Sequence, residues 1–399
     1  MLSGREMMRK LKTCSGDQHD IATGIEWLIS SADGSSTVAV EPMKMVDPMG
    51  PAEVSIHIDA AAEALLMNLT TNAANHEKHG LPRAVMDRLA AIGWLGTAPA
   101  VPLQRERAER LAMADVSVWF CWSQHQSPLR LLQSSSNNIL RDRWLESLAN
   151  GKAVGATAFA HLRRHGPANP IACPVPHGWE LNGRLDWITG WDLADVVAVQ
   201  MRAGHEKDAP VLALMLERKT QEQLPKPLQL FPPLELMVMG GTWSRPLKFN
   251  RHQIDDDAVL SSMPFETWCS RDKARTRFAN PAAFGLARAA LGDLRQQCER
   301  YAASSWLNGF QRLLAEAREL RYRCYAAVDR PDELSNAQHH RLRAAALDLA
   351  QRCCQAALIS HSGSAMYTGH ASGRRLREAA FLQVQALIPP VQERLINSD

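Results

Sequence analysis

The spacing of apolar residues changes its period twice along this chain. Apolar residues recur every four positions between residues 61 and 73, which is the spacing of an amphipathic helix. Between residues 151 and 250 the pattern becomes short runs of Val, Ile, Leu and Trp separated by turn residues such as Asn182-Gly183, so strands and hairpins are expected. Helical spacing returns near the end, most clearly in an apolar seam between residues 342 and 356. Few architectures share this order of helices, strands and helices.

These patterns predict an α+β protein with three structured regions. Residues 53–150 are expected to form an N-terminal helical domain, residues 151–250 a middle β domain, and residues 251–399 a C-terminal helical bundle. Residues 1–52 mix Met, Ser, Gly and Asp and end in a segment rich in Pro and Gly, which is typical of an extension and linker. With 399 residues, of which 46% are hydrophobic, the chain can bury a core of this size.

Composition and charge exclude several classes of function. The net charge is +3 and basic residues are interleaved with acidic ones, so no nucleic-acid partner is expected. Eight cysteines are scattered without a Cys-x-x-Cys pair, which indicates reduced, packed thiols and no metal site. No run reaches the ~20 apolar residues of a membrane helix, and the N-terminus lacks a secretory pattern. We therefore expect a cytoplasmic protein that binds neither a metal nor a membrane.

Residues 178–199 carry the most distinctive motifs of the sequence. A Gly-x-x-Leu-Asn-Gly segment is followed by Trp187-Ile188-Thr189 and then by an Ala-Asp strand, and this run resembles the acyl-CoA dehydrogenase family. The resemblance implies that these three residues contact a flavin, with Trp187 packed on the ring and Thr189 hydrogen-bonded near its reactive edge. An isoalloxazine ring needs an aromatic or apolar face and nearby donors. Taken alone, Trp-Ile-Thr is also typical of any half-buried strand.

Other blocks carry the same resemblance over most of the chain. Ala158-Phe159-Ala160 stands where the family has Thr-Glu-Pro beside the flavin, so Ala158 and Phe159 are expected to keep backbone contacts with the cofactor although a hydroxyl is lost. Ser362-Gly363 stands in the family's Gly-rich turn, which helps to bind the adenine end of FAD across a subunit contact. The resemblance thus implies the acyl-CoA dehydrogenase fold with a C-terminal four-helix bundle. It also implies FAD as the cofactor, with FMN as an alternative, and a homodimer or homotetramer.

The sequence departs from the family at the position of its catalytic glutamate. That glutamate takes a proton from an acyl thioester while hydride leaves for the flavin, and Ala386 occupies its place here. Alanine cannot accept a proton, which leaves His161, Glu266 and Asp272 as candidate catalytic bases. His161 can equally be a loop histidine with a structural hydrogen bond. Arg163 and Arg164, which follow it, can bind a phosphate of cofactor or substrate, or can remain solvated.

Three functions stay open from the sequence. The first is α,β-dehydrogenation of an acyl thioester, carried by coenzyme A or a carrier protein, with a non-standard base. The second is flavin-dependent oxygenation of nitrogen, sulfur or carbon in a small-molecule substrate. It needs no glutamate at position 386, but it needs a separate flavin reductase, because the chain has no Gly-x-Gly-x-x-Gly nicotinamide fingerprint. The third is non-redox binding of a thioester or partner protein, favoured because residues 304–310 lack the family's pyrophosphate-binding arginine.

Overall fold

A computed structural model describes residues 46–53, 56–302 and 304–397 of the chain. The predicted N-terminal extension lies largely outside the described residues. The first described region is helical, and its helices are α1 (Ala60–His79), α2 (Arg83–Ala91), α3 (Val101–Ala114), α4 (Val116–Ser134) and α5 (Asn138–Ala149). Asp59 caps α1, because its carboxylate accepts a hydrogen bond of 2.7 Å from the backbone N–H of Ala62. Asp115 caps the first turn of α4 in the same manner.

An eight-stranded sheet follows these helices. Its strands are β1 (Gly155–Ala158), β2 (Ile171–Val175), β3 (Gly178–Ile188), β4 (Val196–Arg202), β5 (Val211–Glu217), β6 (Leu228–Leu230), β7 (Arg245–Asp255) and β8 (Val259–Met263). Along the sheet the order is β6-β7-β3-β2-β4-β5-β8, and β1 pairs in parallel with β4. The last two strands extend beyond residue 250, where the β domain was expected to end, so the second helical region begins only at Phe265.

Asn182-Gly183 does not form the hairpin expected from the sequence. The tight turn between β2 and β3 lies instead at Pro176-His177, where His177 has a φ of 65°. Asn182-Gly183 lies inside β3, at a shift in the register between β3 and β7. Gly183 has a φ of 110°, and a Cβ at this position would lie 2.0 Å from the side-chain oxygen of Asn169. The glycine therefore marks a bulge and a close contact with the loop before β2, rather than a turn.

The second helical region packs around one central helix. Its helices are α6 (Phe265–Thr276), α7 (Pro281–Arg300), α8 (Ser304–Asp329), α9 (Asn336–Ser360), α10 (Ala371–Val384) and α11 (Pro389–Asn397). Helix α7 is buried along most of its length and contacts α3, α8 and α9. Gly285 permits the close approach of α3, because a Cβ there would lie 2.3 Å from the backbone oxygen of Glu109. The predicted apolar seam lies on α9, where Leu342, Leu349 and Cys353 are buried.

The two largest clusters of buried hydrophobic residues in the described chain hold most of these elements together. The larger core joins both helical regions, since buried residues of α1 to α4 pack in one cluster with those of α7 to α10. The second core fills the sheet and includes Leu185, Val199 and Leu214. The C-terminal ends of β1 and β3 lie where the sheet meets the helices, and this junction contains the cavity described below. Among the described helices, none combines the length and the apolar character needed to cross a membrane.

Candidate functional site

A cavity of about 530 Å³ lies at the junction between the sheet and the helices α4 and α10. Its walls come from the end of β1, the end of β3, the loop before β7 and the segment from α10 to residue 386. A volume of this size is typical of small-molecule and cofactor sites. Most of the wall is apolar, and its large apolar side chains are Phe120, Phe159, Leu236, Met237, Val238, Met239, Phe381 and Val384.

Strand β1 presents an open edge to this cavity. It pairs with β4 along one side, and its other side pairs with no strand in the described part of the chain. Residues 157–160 line the cavity. Because the peptide groups of a strand point alternately to its two sides, the open edge offers backbone N–H and C=O groups to a ligand. The side-chain hydroxyl of Thr157 does not add a free donor, because it donates to the carbonyl oxygen of Ala198 at 3.0 Å.

The end of β3 contributes an uncovered aromatic ring and a hydroxyl. Trp187 lines the cavity and is 47% exposed, although aromatic side chains of this size are mostly covered in folded proteins. Thr189 also lines the cavity and accepts a hydrogen bond of 3.3 Å from the hydroxyl of Ser244. The Ser244 hydroxyl lies 2.9 Å from that of Thr242, which donates to a backbone carbonyl. This wall therefore combines one aromatic face with three linked, neutral hydroxyls.

The turn between α10 and α11 forms another wall and carries Ala386. This residue has a φ of 49°, in the left-handed region, and lines the cavity together with Gln385. Arg343 of α9 fixes the turn, because its guanidinium donates to the carbonyl oxygens of Gln385 at 3.1 Å and Ala386 at 2.8 Å. A third acceptor is the carbonyl of Thr276 at the end of α6. Burial and the charge of Arg163 lower the pKa of Arg343 to about 10.

The described cavity wall contains no carboxylate, imidazole, thiol, phenol or lysine side chain that could accept a proton. His161 follows the β1 segment but is not one of the lining residues. Burial lowers the pKa of His161 to about 4, and its buried Nε2 atom has no hydrogen-bond partner. Glu266 is exposed in the first turn of α6, also away from the lining. The geometry thus brings neither His161 nor Glu266 to the wall that carries Ala386, and Asp272 is not one of the lining residues either.

Arg163 is the charged side chain on the described cavity wall. Its Nε and Nη2 atoms donate to both carboxylate oxygens of Asp272, each at 2.7 Å. Arg275 donates to the same carboxylate at 2.9 Å. Burial acts to raise the pKa of Asp272, but the hydrogen bonds and charges of the two arginines outweigh it and hold this pKa below its usual value. Arg164 lies outside the lining, half exposed, and pairs with Asp186.

The remaining predicted cofactor residues lie in different places. Ile188 is fully buried in the core of the sheet, between the two wall residues of β3. Ser362 and Gly363 lie in a short 3-10 helix (Ser362–Met366) between α9 and α10, outside the cavity lining. Their contact with a cofactor across a subunit boundary stays a prediction. Sequence reasoning missed Phe381, Arg343 and the loop at residues 236–239, for which the one visible signal was an apolar run just before Gly240-Gly241.

Comparison with known proteins bears on this architecture. No protein-family model and no curated protein sequence matches the chain. Butyryl-CoA dehydrogenase from Megasphaera elsdenii matches it in structure with a TM-score of 0.68 at 18% sequence identity, covering 86% of this chain and 99% of that one. The chain has the acyl-CoA dehydrogenase fold. This confirms the resemblance and the fold class predicted from residues 178–199 and from the order of helices and strands.

Two further structures share the acyl-CoA dehydrogenase fold with this chain. Glutaryl-CoA dehydrogenase from Mycobacterium smegmatis, in complex with FADH2, matches with a TM-score of 0.64 at 14% identity, covering 85% of this chain and 95% of that one. KijD3, in complex with FMN and dTDP-3-amino-2,3,6-trideoxy-4-keto-3-methyl-D-glucose, matches with a TM-score of 0.68 at 18% identity, covering 86% of this chain and 93% of that one. At such low identities the similarity establishes the fold and not the reaction.

Proposed function

We propose that the chain is a flavin-dependent oxygenase built on the acyl-CoA dehydrogenase fold. The observation that carries this proposal is that the described cavity wall has no proton acceptor. Ala386 lies on this wall and stands, by sequence resemblance, where the family has its glutamate. Removal of the α proton from an acyl thioester requires a base within hydrogen-bonding reach of that proton. Oxygen transfer requires no such base, because the reduced flavin and O₂ are themselves the reagents.

The residues around the cavity fit an isoalloxazine ring. Trp187 offers an uncovered aromatic face, and the open edge of β1 at Ala158 and Phe159 offers backbone groups for the polar edge of the ring. Thr189 adds a hydroxyl on the same side of the sheet. Flavins are present in two of the structures of this fold, as FADH2 in one and FMN in the other. We therefore propose that these four residues contact the flavin ring, and that Ile188 supports them from below.

The side chains of the wall would orient a substrate and exclude water. When bound and reduced, the flavin would supply the redox chemistry, in which two electrons, two protons and O₂ yield one oxygen atom in the product and one water. Phe120, Phe381 and Met237 surround the site with apolar surface, which strengthens the few polar contacts inside it. Gln385 and Ser244 supply neutral donors and acceptors that can fix the reacting atom of the substrate without taking its proton.

The proposal has consequences for the partners of the chain. The two electrons must come from outside, so a separate flavin reductase is the expected partner. A carrier protein is expected only if the substrate is a tethered thioester. We also propose a homodimer or homotetramer, because Ser362 and Gly363 stand, by sequence resemblance, in a turn that the family uses at a subunit contact.

The test begins with absorbance spectra of the purified protein titrated with FMN and with FAD. We expect flavin to be taken up and to stay oxidised when acyl-CoA thioesters of several chain lengths are added without oxygen. After chemical reduction and exposure to air, we expect O₂ to be consumed, with H₂O₂ released when no substrate is present. Bleaching of the flavin by a thioester would refute the oxygenase and support dehydrogenation by an unidentified base. A protein that takes up no flavin would support the non-redox alternative.

A pair of tryptophan variants locates the flavin. Trp187→Ala removes the aromatic face on the cavity wall, and we expect flavin affinity to fall by about tenfold or more, as for loss of one stacked ring. Trp243→Ala is the matched control, because Trp243 is similarly exposed (40%) but is not part of the wall. Equal losses in the two variants would show that the flavin, if bound, lies elsewhere.

A further inference from the structure

Three arginines and one carboxylate meet beside the cavity. Arg163 on the wall and Arg275 both bind Asp272, the first with two hydrogen bonds and the second with one. Arg343 donates to the backbone carbonyl of Thr276, which follows Arg275, and to those of the wall residues Gln385 and Ala386, but to no carboxylate in the described residues. One negative charge therefore faces three positive charges, which leaves a net charge of about +2 next to an apolar cavity.

Phe159 contacts two of these guanidinium groups. The central carbon of Arg163 lies 5.2 Å from the centroid of the Phe159 ring, and that of Arg275 lies 5.1 Å from it. Both distances lie within the range of cation–π contacts. Phe159 itself lines the cavity, and Asp272 fixes the plane of Arg163 through its two hydrogen bonds. Asp272 and Phe159 therefore hold the Arg163 guanidinium in place before any ligand binds, which reduces the entropy lost on binding.

Arg163 still has donors to offer. Its Nε and Nη2 atoms serve Asp272, while no hydrogen bond within the described chain uses Nη1. Arg275 uses only Nη2 on the same carboxylate. Guanidinium groups of this kind recognise phosphate oxygens with charge-assisted hydrogen bonds. A phosphate monoester carries a charge of about −1.5 to −2 at neutral pH, which matches the excess positive charge.

We propose that the cluster of Arg163, Arg275, Arg343 and Asp272 binds the terminal phosphate of flavin mononucleotide, with Arg163 as the residue in direct contact. The inference rests on the proposed function and names the form of its cofactor. It also accounts for the missing arginine at residues 304–310, because a mononucleotide has no pyrophosphate for such a residue to hold. The residues that select FMN then lie after β1, on α6 and on α9, and no contact with the adenine end of a dinucleotide is needed.

The experiment compares the affinities of riboflavin, FMN and FAD, measured by equilibrium dialysis of the full chain. Riboflavin has the same ring without phosphate. We expect FMN to bind about tenfold to a hundredfold more tightly than riboflavin, as for charge-assisted hydrogen bonds. Arg163→Met should lower the affinity for FMN by more than the affinity for riboflavin, so that most of this preference is lost. Inorganic phosphate should compete with FMN and leave riboflavin binding unaffected.

Arg164→Met is the matched control, because Arg164 is adjacent, carries the same charge and lies outside the cavity wall. It should change none of the three affinities by more than about twofold, since exposed ion pairs contribute little. Arg275→Met leaves the pair of Arg163 and Asp272 intact, so it tests the cluster even if Arg163→Met fails to fold. Circular dichroism monitors the fold of each variant.

The outcomes separate this inference from the function on which it rests. Equal binding of riboflavin and FMN by the unaltered chain, or an equal loss of both in Arg163→Met, would overturn the phosphate site and leave the flavin proposal standing. A preference for FMN that survives in both Arg163→Met and Arg275→Met would also overturn it. If no flavin of any kind binds to the unaltered chain, the proposed function itself fails.

Discussion

Replacement of Arg288 by methionine should lower the free energy of unfolding by more than any substitution of an exposed residue on the same helix. Arg288 lies on α7 and is fully buried (0% exposed). It donates to Glu106 at 2.9 and 3.0 Å, to Glu109 at 2.7 Å, and to Asp47 at 2.6 and 3.3 Å. One guanidinium thus joins α3, α7 and the segment that precedes α1. Methionine keeps most of the aliphatic volume and removes the charge.

The magnitude follows from what each carboxylate retains in the variant. Glu109 keeps hydrogen bonds from Arg321 and Tyr325, and Asp47 keeps a weaker ion pair with Arg110 at 3.7 Å. Glu106 is 2% exposed and has no other ion-pair partner in the described chain. Removal of one partner from a buried pair costs about 3–5 kcal/mol, because the other charge remains buried and unpaired. We expect Arg288→Met to lower the free energy of unfolding by that amount.

Urea denaturation at pH 7, followed by far-ultraviolet circular dichroism, measures this loss. Arg295→Met is the control on the same helix, because Arg295 forms an exposed pair with Glu299 and its loss should cost less than about 0.5 kcal/mol. A second replacement, Glu106→Met in the Arg288→Met background, should recover part of the lost stability, because no charge is then left unpaired. If Arg288→Met costs no more than Arg295→Met, the buried network does not hold the helices together, and the reasoning is wrong.

The same variant should change how stability depends on pH. Burial acts to raise the pKa of Asp47, but Arg288 and Arg110 outweigh burial and hold it below its usual value of 3.8. A carboxylate whose pKa is lower in the folded state stabilises the fold at any pH above its pKa in the unfolded state. This stability is lost as the pH falls through the pKa of the folded state. The penalty of Arg288→Met should therefore be largest near neutral pH and smaller below about pH 4. A penalty that is constant down to pH 3 would contradict this reading.

Three further predictions concern other parts of the fold. Burial lowers the pKa of His125 to about 4, so this neutral ring should cost roughly 3 kcal/mol of stability as the pH falls from about 6.5 to 4, and His125→Gln should flatten that part of an acid denaturation curve. Arg343→Met removes donors from three backbone carbonyls and should lower the melting temperature and speed hydrogen exchange at residues 385–387, whereas exposed Arg341→Met on the same helix should do neither. Gly285→Ala should destabilise by about 1–3 kcal/mol through its clash with α3, while Gly309→Ala in open space on α8 should stabilise by up to about 1 kcal/mol in thermal denaturation.

The order of helices, strands and helices was predictable from the sequence, because the spacing of apolar residues differs between helices and strands. The seam on α9 is buried as its spacing predicted, and the motif at residues 187–189 lies at the end of a strand beside the cavity. Asn182-Gly183 shows where local chemistry is insufficient. The glycine does adopt a positive φ, but contacts with the loop at Asn169 and with β7 decide that the chain continues straight instead of turning.

The cavity itself was only partly predictable, because its walls come from segments far apart in the chain. Counting on from Arg377-Glu378-Ala379 predicted that Ala386 takes the place of the family's glutamate, and this stays a prediction. In the structure Ala386 lies in the turn after α10 and lines the cavity, but no local pattern could show that Arg343 would fix this turn or that Phe381 would also line the cavity. Arg163 was recognised as a possible phosphate ligand. Its two hydrogen bonds to Asp272 fix the orientation of the guanidinium, and they depend on the packing of α6 against the β1 segment.

The absence of a base at position 386 is informative because no other described residue of the cavity wall replaces it. A lost glutamate could be replaced by a residue from another segment, and the sequence could not exclude His161 or Glu266 in that role. In the structure the segments that reach the cavity supply amides, hydroxyls, apolar groups and one arginine already bound to a carboxylate. The described part of this wall can orient a ligand and keep out water, but none of its side chains can take a proton at neutral pH. The chemistry of the site must therefore come from what binds there, which is why the form of the flavin is the first property to measure.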